Sequence, residues 1–411
     1  MRFHTNVIVY LSVLSMLLSF GELFAKNRIY VNVPPFTKYL DGKTVLSLTG
    51  NFNNCEWRPG CLPLNEFSND HNAYFVDLDL EPGFDVEFKI TRRDSWDAEA
   101  ADYQGKPLSN YKVKFKNSDQ AHLVTVINWK DNQLYNEGTL TEISSPKSNF
   151  QPDKNPRSLF IWLPPDYSED KIGGYPLLIV QDGENIFNSQ ASLKSRDPEF
   201  RATTHSPGGT NWQLDSTLPY LIKSGEIPPV IVIGVSSYGS KERRREYVPG
   251  YQSGEDYINF LVHEVIPYLE FDLGFNTAKE REKRFLMGSS LGGLISLGIL
   301  SKYPDYFGGA AAMSLAGQSE VFAKLLKNQF IKNSVIKGVI GKSFLHSSVY
   351  IDHGLLRNDR YYMDLSKDTV TTILGLPFIE PLYKKYPAAD HQEDHWARNV
   401  DNALKFLLKV K

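Results

Sequence analysis

Two serines separate two apolar segments in the stretch FLMGSSLGGL, which runs from Phe285 to Leu294. Within it, Gly288, Ser290 and Gly292 form the pattern G-x-S-x-G. This pattern is typical of a sharp strand-to-helix turn that exposes a serine Oγ, so that the hydroxyl can attack a carbonyl carbon. A tight turn that only needs small residues is the structural alternative. We expect a nucleophilic Ser290, because the flanking segments predict a strand before it and a helix after it.

A serine hydroxyl attacks an ester only when a base removes its proton, so a histidine must follow further along the chain. The available histidines are His346, His353, His391 and His395. We predict His391, because it lies in a loop between a predicted last strand (Pro377 to Tyr383) and a final amphipathic helix. His391 and His395 could instead bind zinc, but a zinc protease needs Glu after the first histidine, where this chain has Gln392. We therefore predict no metal and no organic cofactor.

The histidine in turn needs a carboxylate that orients it, and the segment around SSVYID offers two. Asp352 closes the predicted strand, whereas Asp359 lies deeper in the following loop, so we predict Asp359 and keep Asp352 as the alternative. The negative oxygen that forms during attack needs two hydrogen-bond donors. We expect these from the amide of Leu291 and from the amide of Gly183 or Glu184, which follow the strand LLIVQ. An ordinary Asp-Gly turn is the alternative for the second donor.

The pattern of apolar residues changes near residue 135. Before it, short alternating segments such as DVEFKIT and HLVTVINW predict an all-β sandwich over residues 26–134. Residues 135–157 predict a linker and an entry strand. Over residues 158–411, buried apolar strands alternate with amphipathic helices such as Glu255 to Leu269, which predicts an α/β domain with a doubly wound, mostly parallel sheet. Ser290 would then lie at the carboxyl edge of that sheet, where such folds bind ligands.

The N-terminus predicts export. Arg2 and His4 precede an apolar run from Val7 to Phe20, and a cleavage site after Ala25 would make residues 1–25 a signal peptide. A membrane anchor is the alternative, but the run of 14 residues is short of the roughly 20 that a spanning helix needs. No later segment is long enough, so we predict no membrane span in the mature chain. The predicted location is the periplasm or the medium.

Cysteine usage agrees with that location. Cys55 and Cys61 are the two cysteines of the chain, and an oxidising compartment would join them in a disulfide. The charge balance argues against nucleic acid as a partner. The 411 residues include 45 lysines and arginines against 48 aspartates and glutamates, a formal net charge of −3. A basic patch that could bind nucleic acid is not predicted; we expect Arg243 to Arg245 to form a solvated turn, with an anion site as the alternative.

Five separated motifs resemble a family of esterases that includes enterochelin esterases, esterase D and feruloyl esterases. They are QDGENIF, IPPVIVIGVSS with RREYVP, MGSSLGGLISL, DHGLLRND and ADHQEDHWARNV. The resemblance runs from about residue 140 to the C-terminus and implies an α/β-hydrolase fold. It implies Ser290 as nucleophile, Asp359 as acid and His391 as base, with Trp396 in the histidine motif. Leu355 and Asn358 depart from the family, in which Thr and Leu are common.

The first domain is similar to starch-binding carbohydrate modules, through LTGNFNNCEW, FKITRRDSW and VTVINWKDN. That resemblance implies stacking of Trp57, Trp96 or Trp129 on sugar rings; core packing is the alternative and is preferred for Trp129. We expect an exported serine esterase that acts on a small-molecule or glycan-linked ester, siderophore-type esters included. We expect loops 187–213 and 316–338 to line its pocket. The alternatives are an acyltransferase and a carbohydrate-binding protein with an inactive hydrolase domain.

Overall fold

The computed structural model describes residues 27–38, 45–52, 54–68, 70–80, 83–102, 105–116, 120–132, 137–187, 211–317, 323–333 and 345–409. The chain divides into two compact units between Gln133 and Leu134. The predicted signal peptide lies outside the described residues, as do most of the first predicted substrate loop and part of the second.

The first unit consists of short strands in two sheets. One sheet has the order β4-β5-β1-β9, and the other has the order β10-β7-β6-β2-β3 with β8 beside β6. Neighbouring strands are antiparallel except for β1 and β9. The strands are β1 Asn27–Asn32, β2 Leu46–Gly50, β3 Leu62–Pro63, β4 Asn65–Phe67, β5 Asp70–Leu78, β6 Asp85–Arg92, β7 Ser95–Ala101, β8 Tyr111–Lys114, β9 Ala121–Thr125 and β10 Asn128–Trp129.

Strand β6 shows the alternation of buried and exposed side chains that favours a β-strand. In β6, Val86, Phe88 and Ile90 are fully buried while the residues between them are partly exposed, as expected of a sheet with one face in the core. The predicted all-β organisation of this unit is therefore confirmed. Trp129 is fully buried and its Nε1 donates a hydrogen bond to Thr37 Oγ1 (2.9 Å), so the preferred core role of this tryptophan is confirmed.

Two details of the first unit differ from the prediction. The segment HLVTVINW is two strands rather than one, because β9 pairs with β1 in one sheet and β10 pairs with β7 in the other. The β6–β7 hairpin turns at Arg93 and Asp94, which both have positive φ (53° and 51°). Such a turn matches the twist of the strands, but it usually carries Asn-Gly, so Arg-Asp gave no signal of it.

The predicted disulfide joins Cys55 and Cys61 in the first unit, with Cα atoms 5.5 Å apart. The bridge closes a loop between β2 and β3. It constrains that loop locally, since a closed ring of this size removes little chain entropy from the unfolded state.

The second unit is built on an eight-stranded sheet with the order β11-β12-β14-β13-β15-β16-β17-β18. The first two strands run antiparallel to their neighbours, and all pairs from β14 to β18 are parallel. The predicted mostly parallel sheet is confirmed. Its strands are β11 Thr139–Ser144, β12 Ser158–Leu163, β13 Leu177–Gln181, β14 Ile231–Val235, β15 Arg284–Ser289, β16 Gly309–Met313, β17 Ser347–Gly354 and β18 Ile379–Tyr386.

Helices connect these strands. They are α1 Leu214–Lys223, α2 Ser240–Glu246, α3 Gln252–Phe260, α4 Leu291–Lys302, α5 Arg357–Leu365, α6 Lys367–Leu374 and α7 Glu393–Leu407. Residues 323–333 are also helical, and single 3₁₀ turns cover Gly183–Asn185 and Arg281–Lys283. No helix within the described ranges has the length and apolar character needed to cross a membrane.

The predicted helix Glu255 to Leu269 is present in modified form. Helix α3 ends at Phe260, and the chain continues through two π-helical turns, Leu261–Val265 and Tyr268–Asp272. Pro267, which has no amide hydrogen, lies between these turns. The apolar stripe predicted for this helix is nevertheless buried in the core of the unit.

Candidate active site

Ser290 lies at the corner between β15, which ends at Ser289, and α4, which begins at Leu291. Its φ of 56° and ψ of −124° are in a region that residues with a side chain rarely occupy. A Cβ atom placed on Gly288 would lie 2.3 Å from the carbonyl carbon of Gly292, so only glycine permits this close approach. The turn is thus strained and tightly packed, and it leaves Ser290 partly exposed.

Backbone hydrogen bonds tie this corner to the next strand. The amide of Ser290 donates to the carbonyl of Met313 (2.9 Å), the last residue of β16. Leu291 is the first residue of α4, and the first amides of a helix have no acceptor within the helix. The Leu291 amide is therefore a donor of the kind that the predicted oxyanion site requires.

After β17 and β18, which lie two and three strands along the sheet from β15, the structure brings Asp359 and His391 together. His391 Nδ1 and Asp359 Oδ1 are 3.1 Å apart. Side-chain exposure is 13% for His391 and 1% for Asp359, so the pair is largely desolvated. His391 lies between β18 and α7, as predicted. Asp359 lies in the first turn of α5 rather than in a loop.

The other oxygen of Asp359 is also bound. Oδ2 accepts hydrogen bonds from Ser314 Oγ (2.7 Å) and from the amide of Gly354. Burial raises the pKa of this carboxyl, but the hydrogen bond and charge of His391, together with the bonds from Ser314 and Gly354, outweigh burial and lower the pKa below its ordinary value. Asp359 is thus a carboxylate at neutral pH.

Asp352, the alternative acid, has different contacts. It lies inside β17 rather than at its end, and its two oxygens accept hydrogen bonds from the Ser314 amide (2.7 Å) and the Tyr350 hydroxyl (2.9 Å). Burial raises its pKa to about 7, the charge of Asp359 adds to the rise, and the hydrogen bonds from Ser314 and Tyr350 oppose it. The geometry therefore brings Asp359, and not Asp352, to His391.

Of the remaining candidate histidines, His346 is exposed directly before β17, and His353 and His395 have other partners. His353 is fully buried between the carbonyl of Leu315 and the hydroxyl of Tyr383. His395 lies within α7 and bonds to the backbone of Asp390. His391 precedes that helix, so the two histidines of HQEDH do not share one helical face. In the part of the chain that the structure describes, no cluster of three or more His, Cys, Asp or Glu side chains could hold a metal ion.

The loop after β13 is fixed next to the corner. Asp182 has a left-handed φ of 58°, and the 3₁₀ turn begins at Gly183. A Cβ on Gly183 would lie 2.4 Å from the carbonyl carbon of Gly234, and one on Gly292 would lie 3.0 Å from Asp182 Oδ2. The loop therefore packs against both β14 and the start of α4, which is the position expected of the second oxyanion donor.

Arg243 holds this loop. Its guanidinium donates to both carboxylate oxygens of Asp182 (2.6 and 2.7 Å) and to the carbonyl of Ser289 (3.4 Å). A solvated turn was expected for Arg243 to Arg245, and for Arg243 this expectation is wrong. The three consecutive arginines look alike in the sequence, and only the fold shows which one faces Asp182. The bidentate pair fixes the plane of the carboxylate and hence the start of the turn.

The side chain of Glu184 binds Ser237, two residues after β14. Its carboxylate accepts hydrogen bonds from the amide (3.1 Å) and the Oγ (2.6 Å) of Ser237. Burial and the charge of Asp182 raise the pKa of Glu184 to about 7, against the opposing effect of Ser237. Its backbone amide remains a candidate donor, as predicted.

Ser314 is a site residue that the sequence gave no reason to select. It directly follows β16, and it contacts both Asp359 and Asp352. The strand that precedes it, GAAAM, carries no recognisable catalytic motif. Ser290, Ser314, Asp359 and His391 follow the four adjacent strands β15 to β18 in that order.

The strand order, the antiparallel second strand and the serine turn after the fifth strand of the sheet define an α/β-hydrolase. The chain matches the family described as Putative esterase over residues 153–406. It belongs to this family, as the sequence motifs predicted.

Three bacterial proteins are similar to parts of this chain. Two from Bacillus subtilis are named Uncharacterized protein YbbA (28% identical over 170 residues, 38% of this chain and 56% of that protein) and Uncharacterized protein YjcH (28% over 253 residues, 61% and 91%). The chain thus spans about half the length of the first and most of the second. An amylopullulanase from Thermoanaerobacterium thermosulfurigenes is 29% identical over 167 residues, which cover 40% of this chain and 8% of that protein.

Among solved structures, the enterobactin esterase of Shigella flexneri is 15% identical, with a TM-score of 0.50 over 88% of this chain and 87% of that one. A feruloyl esterase module from Clostridium thermocellum is 14% identical, with a TM-score of 0.47 over 68% of this chain and 90% of that one. The first of these likenesses shows the shared fold.

Proposed function

We propose that this protein hydrolyses carboxylic esters through an acyl-enzyme on Ser290. One observation carries the proposal. A strained, partly exposed serine at the sheet's carboxyl edge shares that edge with a buried Asp359–His391 pair. Membership in an esterase family supports the reaction class, and the geometry supports the assignment of roles.

The hydrogen-bond contacts define the catalytic role of each side chain. Because Asp359 accepts at Nδ1 of His391, that nitrogen carries the hydrogen and Nε2 is left as the base. Nε2 takes the proton of Ser290 as Oγ attacks the carbonyl carbon. The oxyanion that forms accepts hydrogen bonds from the amides of Leu291 and of Gly183 or Glu184.

Collapse of this intermediate breaks the ester bond and leaves the acyl group on Ser290 Oγ. His391 returns the proton to the departing alcohol. A water molecule then gives a proton to His391 and attacks the acyl-enzyme. Collapse of the second intermediate breaks the bond to Ser290 Oγ, His391 returns the proton to that oxygen, and the carboxylic acid is released. Throughout, the charge on Asp359 stabilises the imidazolium form of His391.

We further propose that the protein is exported and acts on a small-molecule or glycan-linked ester. Residues 1–25 support export by their charge and apolar run, and the Cys55–Cys61 disulfide supports an oxidising compartment. Trp96, 36% exposed, and the partly exposed Trp57 support a role of the first unit in sugar contact. Analysis of the products formed in the presence of an added alcohol or glycan acceptor tests whether the acyl group is transferred to a hydroxyl instead of water.

Two neighbouring serines provide the test of the catalytic role. Turnover of p-nitrophenyl acetate is measured for the wild type, Ser290→Ala and Ser289→Ala. We expect Ser290→Ala to lose at least about 10³-fold in kcat, since removal of a nucleophile abolishes the covalent path. Ser289→Ala, a change of the buried serine one position earlier, should retain turnover within a fewfold of the wild type. Full activity in Ser290→Ala would refute the proposal.

A further inference from the structure

Ser314 occupies an unusual position for a serine. It directly follows β16, is 3% exposed, and has a φ of 43°, in the left-handed region. A residue with a side chain adopts this conformation only when its surroundings hold it there. The neighbours that hold it are the groups around the candidate acid.

The hydrogen bonds of Ser314 have defined directions. Trp396 Nε1 lies 2.8 Å from Ser314 Oγ, and an indole nitrogen can only donate. The single hydrogen of the hydroxyl is therefore left for Asp359 Oδ2, at 2.7 Å. The hydroxyl accepts from Trp396 and donates to Asp359, and all three groups are buried.

These bonds fix the plane of the Asp359 carboxylate. Oδ2 is held by Ser314 Oγ and the Gly354 amide, so that Oδ1 is directed at His391 Nδ1. Without the hydroxyl, a buried oxygen of Asp359 loses a donor and the indole of Trp396 loses its acceptor. The ring of Trp396 also meets the ring of His391 edge-on, with centroids 5.2 Å apart. The Ser314 hydroxyl therefore orders both the Asp359 carboxylate and the Trp396 ring, which packs on His391.

The backbone of Ser314 is held separately. Its amide donates to Asp352 Oδ1 (2.7 Å), whose other oxygen accepts from Tyr350, and Tyr350 contacts Tyr386 (2.9 Å). The residue before Ser314 is Met313, whose carbonyl accepts from the amide of the nucleophile Ser290. Ser314 is thus anchored on one side by Asp352 and joined on the other to the Ser290 corner.

We propose that Ser314 is a positioning residue of the reaction, which acts by aiming the Asp359 carboxylate at His391, and that Asp352 holds Ser314 in the required left-handed conformation. The inference rests on the proposed function. It assigns a role to the second buried carboxyl, which the reaction itself does not use.

Glycine at position 314 gives a sharp test, because it accepts a positive φ and removes the hydroxyl together with the Cβ that is strained there. We expect Ser314→Gly to lower kcat on p-nitrophenyl acetate by about tenfold to a hundredfold, as misplacement of a catalytic group does, with KM within about twofold. Ser314→Ala, which keeps the Cβ, should lose at least as much. Ser301→Ala, which removes a buried hydroxyl at the far end of α4, is the matched control and should change neither constant by more than twofold.

A double-mutant cycle separates positioning from a general structural effect. If Ser314 acts through Asp359, Ser314→Gly should cost little more once Asp359→Asn has removed the acid. A loss of the same size in both backgrounds, or a wild-type kcat in Ser314→Gly, would overturn the inference. Circular dichroism and thermal melting of each variant establish folding, and Ser314→Ala carries the cycle if the glycine variant does not fold.

The same assay with Ser290→Ala distinguishes failure of the role inferred for Ser314 from failure of the proposed function. If Ser290→Ala is inactive and Ser314→Gly is unaffected, only the role of Ser314 is wrong. If Ser290→Ala retains full turnover, the proposed function fails and the role of Ser314 fails with it.

Discussion

Asp352 and Asp359, two buried carboxyls that both accept a hydrogen bond from Ser314, have pKa values shifted in opposite directions. Asp359 binds the imidazole of His391 and its pKa is lowered, whereas burial raises the pKa of Asp352 to about 7 against the hydrogen bonds from Ser314 and Tyr350 and the charge of Arg398. A catalytic acid of this type must be charged to stabilise an imidazolium. The environment of Asp359 meets that requirement at neutral pH, and the environment of Asp352 suits a structural role.

Substitution of the two carboxyls one at a time tests this division. We expect Asp359→Asn to lower kcat by roughly 10³- to 10⁴-fold, since the histidine would be held in the wrong tautomer. Asp352→Asn should lower it by less than about tenfold, because the amide oxygen can still accept the Ser314 N–H bond. Kinetics with p-nitrophenyl acetate provide the measurement. A larger loss in Asp352→Asn than in Asp359→Asn would identify Asp352 as the acid.

Single residues were predictable where a local pattern carried the information. The G-x-S-x-G turn selected Ser290, and chain order with the family motifs selected His391 and Asp359. The role of Ser314 depends on its left-handed backbone and on the adjacency of β16 and β17. The sequence GGAAAMS indicates neither feature. In the same way, Arg243 could not be distinguished from its two arginine neighbours without the fold.

At the scale of elements, the site depends on close approach between the loop after β13 and the strand β14. Gly183 and Gly234 face each other there, with no room for a side chain at position 183. The loop carries the proposed second oxyanion donor at its first turn. Its position relative to α4 therefore bears directly on transition-state binding.

Gly183→Ala should displace that loop. The added Cβ would lie 2.4 Å from backbone of Gly234, so the turn must move, at a cost of about 1–3 kcal/mol in stability. We expect kcat to fall by about 10²-fold or more, since loss of one oxyanion donor has an effect of that size, while KM changes little. Gly375→Ala is the control, because its nearest contacts would be ordinary ones at 3.4 and 3.6 Å. Unchanged kcat in a folded Gly183→Ala variant would exclude this loop from the oxyanion site.

The central strands β13, β14 and β15 of the second unit were predictable because each is a short, largely apolar run that is buried on both faces. The elements that escaped prediction depend on information beyond the local pattern. The split of HLVTVINW into β9 and β10 follows from pairing with two different sheets, and the π-helical continuation of α3 keeps the same apolar stripe as a regular helix. Apolar periodicity therefore identified these segments but not their exact geometry.

At the scale of the whole molecule, the two units have different roles in the proposal. All residues of the candidate site and the family match at residues 153–406 lie in the second unit. The first unit contains the disulfide and the exposed Trp96. Sugar binding by the first unit stays a prediction from its resemblance.

Two carboxyls of the second unit, Asp352 and Glu184, should take up protons on folding. The pKa of Asp352 and that of Glu184 are each raised to about 7, above the values that these groups have in an unfolded chain. Their contribution to stability is fully present below about pH 4, where both states are protonated, and is lost as the pH rises toward about 7. The native state favours the protonated form of each carboxyl, so both groups stabilise the fold at mildly acidic pH.

Asp352→Asn isolates one of these contributions, because an amide resembles the protonated carboxyl and does not titrate. Between pH 5 and 6 one such group lowers the free energy of unfolding by at most about 1.4 kcal/mol per pH unit. We expect the free energy of unfolding of the variant to fall less steeply with pH than that of the wild type. Urea unfolding at pH 5, 6 and 7.5 measures the difference. Parallel curves for the two proteins would show that Asp352 is ionised throughout this range.

The central claim is that Ser290 is an activated nucleophile. The most direct measurement is covalent labelling of the purified protein with a fluorophosphonate probe, with Ser290→Ala and Ser289→Ala beside the wild type and the modified peptide identified by mass spectrometry. The account predicts displacement of fluoride and one adduct, on Ser290, in the wild type and in Ser289→Ala but not in Ser290→Ala. A folded wild-type protein that forms no adduct at Ser290 would contradict it.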